Sequence, residues 1–321
     1  MDQLQHLQFL LNSMGTGPDG QRWDDKFTAA LSRQLEFVKA RTFDVVYPEM
    51  KARRFFPVSN EADSGAETIT YEQWDSFGMA NVIANYADDI PESDVLVEEF
   101  TAKVKGFASS FKWSIQDLRR SAMANSNLQS RKAMAARRSV ENRLEDVGAF
   151  GVLNGGLTGG LNNANIPVTP APVGNWTLLT PADDIINDLN TLVDAIVVAN
   201  KETFLPDTLI VPTEKFSILA QKRVSTTGDT GTTILQQFVA SNPYINTIES
   251  WFKARLADAG GTGPRIMAYK RSPEVLSFEI PQEFETMPPQ AKNLAFKVPV
   301  HARAAGVLVY YPLACGYMDG T

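Results

Sequence analysis

One cysteine, Cys315, and two histidines, His6 and His301, are all that the 321-residue chain contains of those two residue types. That scarcity excludes an intramolecular disulfide framework and leaves too few ligands for a His/Cys zinc site. Long hydrophobic runs are missing too. The apolar stretch Ala304 to Met318 is broken by Gly306, Pro312 and Gly316. It falls short of the roughly 20 residues that a bilayer-spanning helix needs, and reads as a buried strand with its turn. At the N-terminus, Met1-Asp2-Gln3-Leu4 has an acid where a signal peptide carries basic residues, so no export is expected. What is present suits a globular chain of two or three structural units: 44% hydrophobic residues, with 30 basic against 37 acidic side chains and a net charge of −7. These figures point to a soluble, intracellular protein with a sizeable core.

Charge of one sign is also missing locally. From Phe55 to Ala102 there is no Lys or Arg, against eleven Asp and Glu; from Arg119 to Val140 there are six Arg and Lys and no acid. Isolated charge runs are usually solvated faces. Two runs of opposite sign on different elements suit a molecule that meets copies of itself, or one whose basic face meets nucleic acid.

Periodicity places amphipathic helices at Gln3 to Asn12 and Asp24 to Phe43, parted by a Gly/Pro breaker, as an arm too short to bury its own core. Arg53 to Val58 and Thr68 to Phe77 read as strands, with Asn60 to Gly65 as the turn of a hairpin-like extension. Its aromatics Phe55, Phe56, Tyr71, Trp74 and Phe77 sit in polar, acidic sequence, which makes them candidates for contact with a partner. A β region at Val95 to Trp113 ends at Ser114-Ile115-Gln116-Asp117, which has capping-box spacing and starts a helix. Asn125-Ser126-Asn127 breaks that helix, and a longer one runs from Leu128 to about Val152. Val140, Leu144, Val147 and Gly151 share its apolar face, whereas Arg131, Lys132 and Arg138 lie largely elsewhere. Beyond a flexible Gly-rich crossover the pattern turns α/β, with a helix starting at Thr180-Pro181, a strand at Thr208 to Val211 and helices at Thr213 to Gln221 and Thr233 to Ala240. Strands then dominate from Ile245 onward.

Tests for chemistry come back empty. Gly155-Gly156-Leu157-Thr158-Gly159-Gly160 lacks the Lys-Ser/Thr of a P-loop and the strand-to-helix setting of a dinucleotide fingerprint. Adjacent carboxylates such as Asp88-Asp89 and Asp183-Asp184 point apart instead of forming an acid/base pair. His301 is the only plausible histidine base and reads as a partly exposed strand residue, because no Gly-x-Ser-x-Gly elbow accompanies it. Cys315 reads as a small packing residue.

The order of parts is informative in itself: helical arm, acidic β extension, β region, basic helix, Gly-rich loop, α/β unit, closing strands. Together with Phe55-Phe56-Pro57-Val58, Gly65 to Tyr71, Asp75 to Ala80, Ala84 to Pro91, Leu128 to Gly151, Tyr269 to Val275 and Arg303 to Gly320, it resembles a tailed-bacteriophage or prophage major capsid protein. Encapsulin shell proteins are related to that family in fold. The resemblance implies an α+β Hong Kong-type capsid fold with an N-terminal arm (1–50) and an extended loop (51–92). It also implies a peripheral domain with a long spine helix (93–155 and 275–303) and an axial domain (156–274 and 304–321). The implied function is non-enzymatic self-assembly into an icosahedral shell, with no cofactor, no metal and no membrane. Implied partners are copies of itself, as pentamers and hexamers, and packaged double-stranded DNA bound without sequence specificity; portal, scaffolding or cementing proteins are compatible additions. The implied location is the virion capsid, assembled in the bacterial host cytoplasm.

On this reading Phe55, Phe56, Tyr71, Trp74 and Phe77 are intersubunit residues of the extended loop, and Arg131, Lys132, Arg137 and Arg138 form a basic spine facing DNA or a neighbouring subunit. Some capsids of this fold weld their shells through a loop lysine. Here no lysine lies between Lys51 and Lys103, so such a weld is not expected. Three alternatives stand beside the capsid reading: an encapsulin-type shell around a cargo enzyme, a soluble α/β enzyme using His301 or the acids, and a nucleic-acid-binding protein using the basic helix.

Overall fold

The structure, a computed structural model, describes residues 48–78, 92–123, 128–224, 231–258, 261 and 263–321. The two arm helices, the Ala84 to Pro91 segment and the Asn125-Ser126-Asn127 break lie outside the described residues.

A one-turn helix α1 (Ala52–Phe55) and a short strand β1 (Val58–Ser59) open the described chain. The expected strand over Arg53 to Val58 is therefore corrected. A carboxylate explains the helix: Glu145 accepts from the amides of Lys51 and Ala52 at 3.0 and 2.8 Å, satisfying N–H groups that a helix start leaves without partners. The expected hairpin partner is corrected as well. Strand β2 (Thr68–Phe77) pairs with β3 (Asp94–Lys103) in an antiparallel ribbon, while β1 pairs in parallel with a distant strand at Leu276–Glu279. The ribbon thus takes its second strand from sequence assigned above to the peripheral domain.

Strand β4 (Lys105–Ser114) leads through the expected capping box into α2 (Ile115–Met123): the Asp117 amide donates to Ser114 Oγ at 3.0 Å, and the Ser114 amide donates to Asp117 Oδ2 at 3.3 Å. The long helix α3 (Leu128–Phe150) buries Val140, Leu144 and Val147, each 2% exposed or less, as its periodicity predicts. It stops at Gly151, whose φ of +64° needs a residue without a Cβ. The crossover that follows is packed, contrary to the flexible link expected. Gly160 lies so close to Phe56 that a Cβ would overlap the ring.

Strand β5 (Val168–Pro170), helix α4 (Ala182–Ala199), strand β6 (Thr208–Pro212) and helices α5 (Thr213–Gln221) and α6 (Ile234–Ser241) follow. Pro181, not Thr180, occupies the cap position of α4. The Thr180 hydroxyl instead accepts from the Thr177 amide in the preceding turn. Strands β7 (Thr247–Trp251), β8 (Arg265–Tyr269), β9 (Leu276–Glu279), β10 (Gln282–Thr286), β11 (Gln290–Lys292), β12 (Ala295–Ala304), β13 (Gly306–Val309) and β14 (Cys315–Asp319) complete the chain.

Besides the β2-β3 ribbon and a three-stranded sheet of order β1-β9-β13, two larger sheets organise the described strands. One has order β5-β14-β8-β6-β7, and both its faces are covered. Leu209, Val211, Ile266, Ala268 and Met318 point to helices α4, α5 and α6. Their neighbours Ile210, Met267, Tyr269, Cys315 and Tyr317 point into a second core, shared with α3. This alternation explains why β6 and β8 read as continuous apolar runs. In the other sheet β12 pairs with β4 over ten residues and with β10 and β11, under the long helix.

Candidate functional site

Buried polar groups are the first place to look for chemistry, because an unpaired charge in a core is costly and is kept only for a reason. Here the buried charges are engaged by their own fold. Glu145 accepts a third bond, from Trp251 Nε1 at 2.8 Å, and so ties α3 to α1 and β7. Asp188 accepts from Trp176 Nε1 at 2.8 Å. Lys215 donates to Asn175 Oδ1 at 2.5 Å and to the Trp176 carbonyl at 2.9 Å, and burial lowers its pKa. Arg265 forks onto Asp319, both contacts 2.6 Å, and donates to the Leu161 carbonyl at 2.8 Å. Glu279 accepts from Ser277 Oγ at 2.6 Å.

His301, half-buried on β12, has Nε2 4.0 Å from the Glu285 carboxylate. Burial pushes the Cys315 thiol far above its ordinary pKa, which suppresses the thiolate a nucleophile requires. Among the described residues no group of three or more His, Cys, Asp or Glu side chains could hold a metal ion. A cleft of about 860 Å³ lies beside Phe150, Asn162, Asn163 and Ile166, and its most buried cation is the Arg265 already bound to Asp319.

The ribbon has the opposite character. Its ten paired residues per strand span about 34 Å at the usual rise. Trp74 is 66% exposed, Phe77 51% and Leu96 59%, with Val95 and Val97 beside them. Single exposed apolar residues are ordinary, but a cluster on a projecting element marks an interaction surface. Tyr71 is half-buried, stacked on Phe100 at 5.3 Å and edge-on to Tyr310 at 4.8 Å; burial raises its pKa. Phe55 and Phe56 require correction. They are 2% and 0% exposed, with rings 5.1 and 5.9 Å from Trp251, so they belong to this chain's own core and cannot reach a neighbouring subunit. Sequence reasoning missed Val95, Leu96 and Val97, whose signal was an apolar triplet between Asp94 and Glu98; the fold pairs it with Ser76, Asp75 and Trp74.

The basic helix residues diverge. Lys132 donates to the Lys112 carbonyl at 3.0 Å and pairs with Asp117 at 3.5 Å. Arg137 lies 3.6 Å from Glu141 and 5.7 Å from the Phe284 ring centroid. Arg131 and Arg138, seven residues apart, share another face, with Met134 between them 62% exposed.

The buried charges described above are paired within the chain, and the ribbon carries a cluster of exposed apolar side chains. Residues 78–321 match the sequence model of the family described as major capsid protein. The chain belongs to the major capsid protein family. This capsid protein is a structural component of a virion shell and not an enzyme. Its fold is that of tailed-phage capsids: the capsid of Myoviridae phage XM1 superimposes with a TM-score of 0.79 at 19% identity, over 90% of this chain and 98% of that one. A Mycobacterium phage Adephagia structure gives 0.62 at 14%, over 91% and 98%. The virus-like particle from Pyrococcus furiosus gives 0.54 at 12%, over 83% and 90%. No curated protein matches the sequence.

Proposed function

We propose that this capsid protein assembles as pentamers and hexamers into an icosahedral shell around phage double-stranded DNA, inside the bacterial host, with the ribbon of β2 and β3 lying over an adjacent subunit. In this assignment helix α3 is the spine of a peripheral domain, and the sheet of β5, β14, β8, β6 and β7 with its helices is the axial domain. The observation that carries the reading is the ribbon, whose Trp74, Phe77, Val95, Leu96 and Val97 are each 44% or more exposed. Burial of such side chains contributes about 25 cal/mol per Å², whereas exposed ion pairs contribute about 0–1 kcal/mol each. Affinity therefore resides in the apolar residues and orientation in the charges.

Electron microscopy of the recombinant protein tests this. Regular icosahedral shells are the expected result; persistent monomers at high concentration would overturn it. Particles recovered from the host should hold nuclease-protected DNA of no particular sequence, whereas a co-purifying enzyme without DNA would mark an encapsulin-type shell. Scaffolding, portal and cementing proteins are further partners compatible with such a shell.

A further inference from the structure

The sheet of β10, β12, β11 and β4 has two faces of opposite character. Side chains alternate along each strand, and residues directly opposite one another share a face. Toward α3 the sheet turns Phe107, Phe111, Val298, Val300 and Ala302, which pack in the core. On the other face β4, β11 and β12 carry no Phe, Tyr or Trp. There Lys112 on β4 lies directly opposite Lys297 on β12, and Lys297 opposite Gln290 on β11. Lys292 joins them from its position opposite Ala295. All three lysines are exposed, and none forms an ion pair with another described residue.

At a rise of about 3.4 Å per residue and about 4.8 Å between strands, the backbone positions of the three lysines fall within roughly 12 Å. Like charges set directly opposite each other destabilise a strand pair, and the fold leaves this repulsion unrelieved. The nearest acid on the same face by register, Glu285, stands opposite His301, four residues along β12 from Lys297. That is about 14 Å along the strand, more than the Debye length of about 8 Å at physiological salt. The chemistry of the face selects its occupant. Protein interfaces are depleted of Lys and enriched in aromatics at their centres, so a second protein fits poorly. Ammonium groups with a hydroxyl and an amide between them, here Ser110 and Gln290, are instead the groups that hold phosphate oxygens without reading sequence. The span equals about three to four base steps of one DNA strand. On α3, by contrast, Lys132 and Arg137 are already paired with Asp117 and Glu141 of their own chain.

We infer that the sheet face carrying Lys112, Lys292 and Lys297, and not helix α3, meets the phosphate backbone of packaged double-stranded DNA and so lines the inside of the shell. The inference rests on the proposed shell assembly and adds which surface of the subunit points inward.

Two measurements test it. Intact shells and dispersed subunits are treated with an amine-reactive reagent coupled to a dextran too large to cross the shell wall, and modified lysines are located by peptide mass spectrometry. The three lysines should be labelled in the subunit and protected in the shell; labelling in intact shells would overturn the inference. Burial against a neighbouring subunit would protect them too, so the second measurement addresses DNA directly. Dispersed subunits are titrated with a fluorescent duplex of arbitrary sequence at salt from about 50 to 200 mM. Each phosphate contact contributes about 0.9 to the slope of log affinity against log salt, so Lys112→Gln, Lys292→Gln and Lys297→Gln together should lower it by roughly 2 to 3. An unchanged slope, with native circular dichroism, would overturn the inference and point to an acidic protein partner. Should the triple variant not fold, single replacements should each lower the slope by about 0.9. Absence of shells from the unaltered chain would refute the shell reading itself, whereas the titration needs no shell and still decides whether this face binds DNA.

Discussion

Replacing Phe56 by alanine separates a core role from an interface role. The side chain is 0% exposed, its ring lies 5.9 Å from both Trp251 and Tyr269, and Gly160 packs directly on it. Neighbours held on a helix crossover and two strands of a covered sheet cannot collapse far into the space left behind. The full penalty of a buried phenylalanine truncation, about 3–5 kcal/mol, is therefore expected. Against a typical domain stability of about 5–15 kcal/mol this is a large fraction. Urea unfolding of dispersed subunits, followed by tryptophan fluorescence, should show a lower midpoint with little change in slope. Trp74→Ala is the control: at 66% exposed it should leave that midpoint within about 0.5 kcal/mol while impairing shell formation. A Phe56→Ala subunit as stable as the unaltered one, but unable to assemble, would refute the core assignment and return Phe56 to the interface.

Three further outcomes are expected. Cys315, buried with its thiol pKa raised by desolvation, should resist thiol reagents in the native subunit and react once urea unfolds it; rapid native labelling would contradict the burial. Shells boiled in detergent should run as a single 35.3 kDa band, since residues 52–102 include no lysine to cross-link, and a ladder mapping to that stretch would count against this. For Asp207, burial alone would raise the pKa, but hydrogen bonds from Lys270, the Arg271 amide and Thr208 outweigh it and hold the carboxyl below its ordinary value. Its contribution is thus fully present above the ordinary aspartate pKa and lost as pH falls toward the lowered folded value. Asp207→Asn should flatten the acid limb of a stability–pH curve, and an unchanged limb would exclude the group.

Local features were legible wherever short-range physics decides. The capping box at Ser114, the apolar stripe of α3, the β2 strand and the α5 helix follow from spacing and turn chemistry within a few residues. The scarcity of reactive groups and the segregation of charge were equally plain; the shell itself was implied by the resemblance of the order of parts to capsid proteins. Strand pairing was less accessible. Asn60 to Gly65 has the composition of a hairpin turn, yet β1 finds its partner at Phe278 and β2 finds its own at Lys103 to Asp94. Turn chemistry permits a reversal without specifying which strands then meet.

Phe55 and Phe56 mark the division most sharply. In sequence they sit at the edge of an acidic, aromatic segment and look like its contact residues. In the fold, Trp251 and Tyr269 close over them from about 200 residues away, and Glu145 turns the preceding chain inward. Composition could determine that residues 55–102 are acidic, aromatic and free of lysine. Which aromatics are core and which stay exposed depended on burial by residues distant in sequence, a property that only tertiary packing creates.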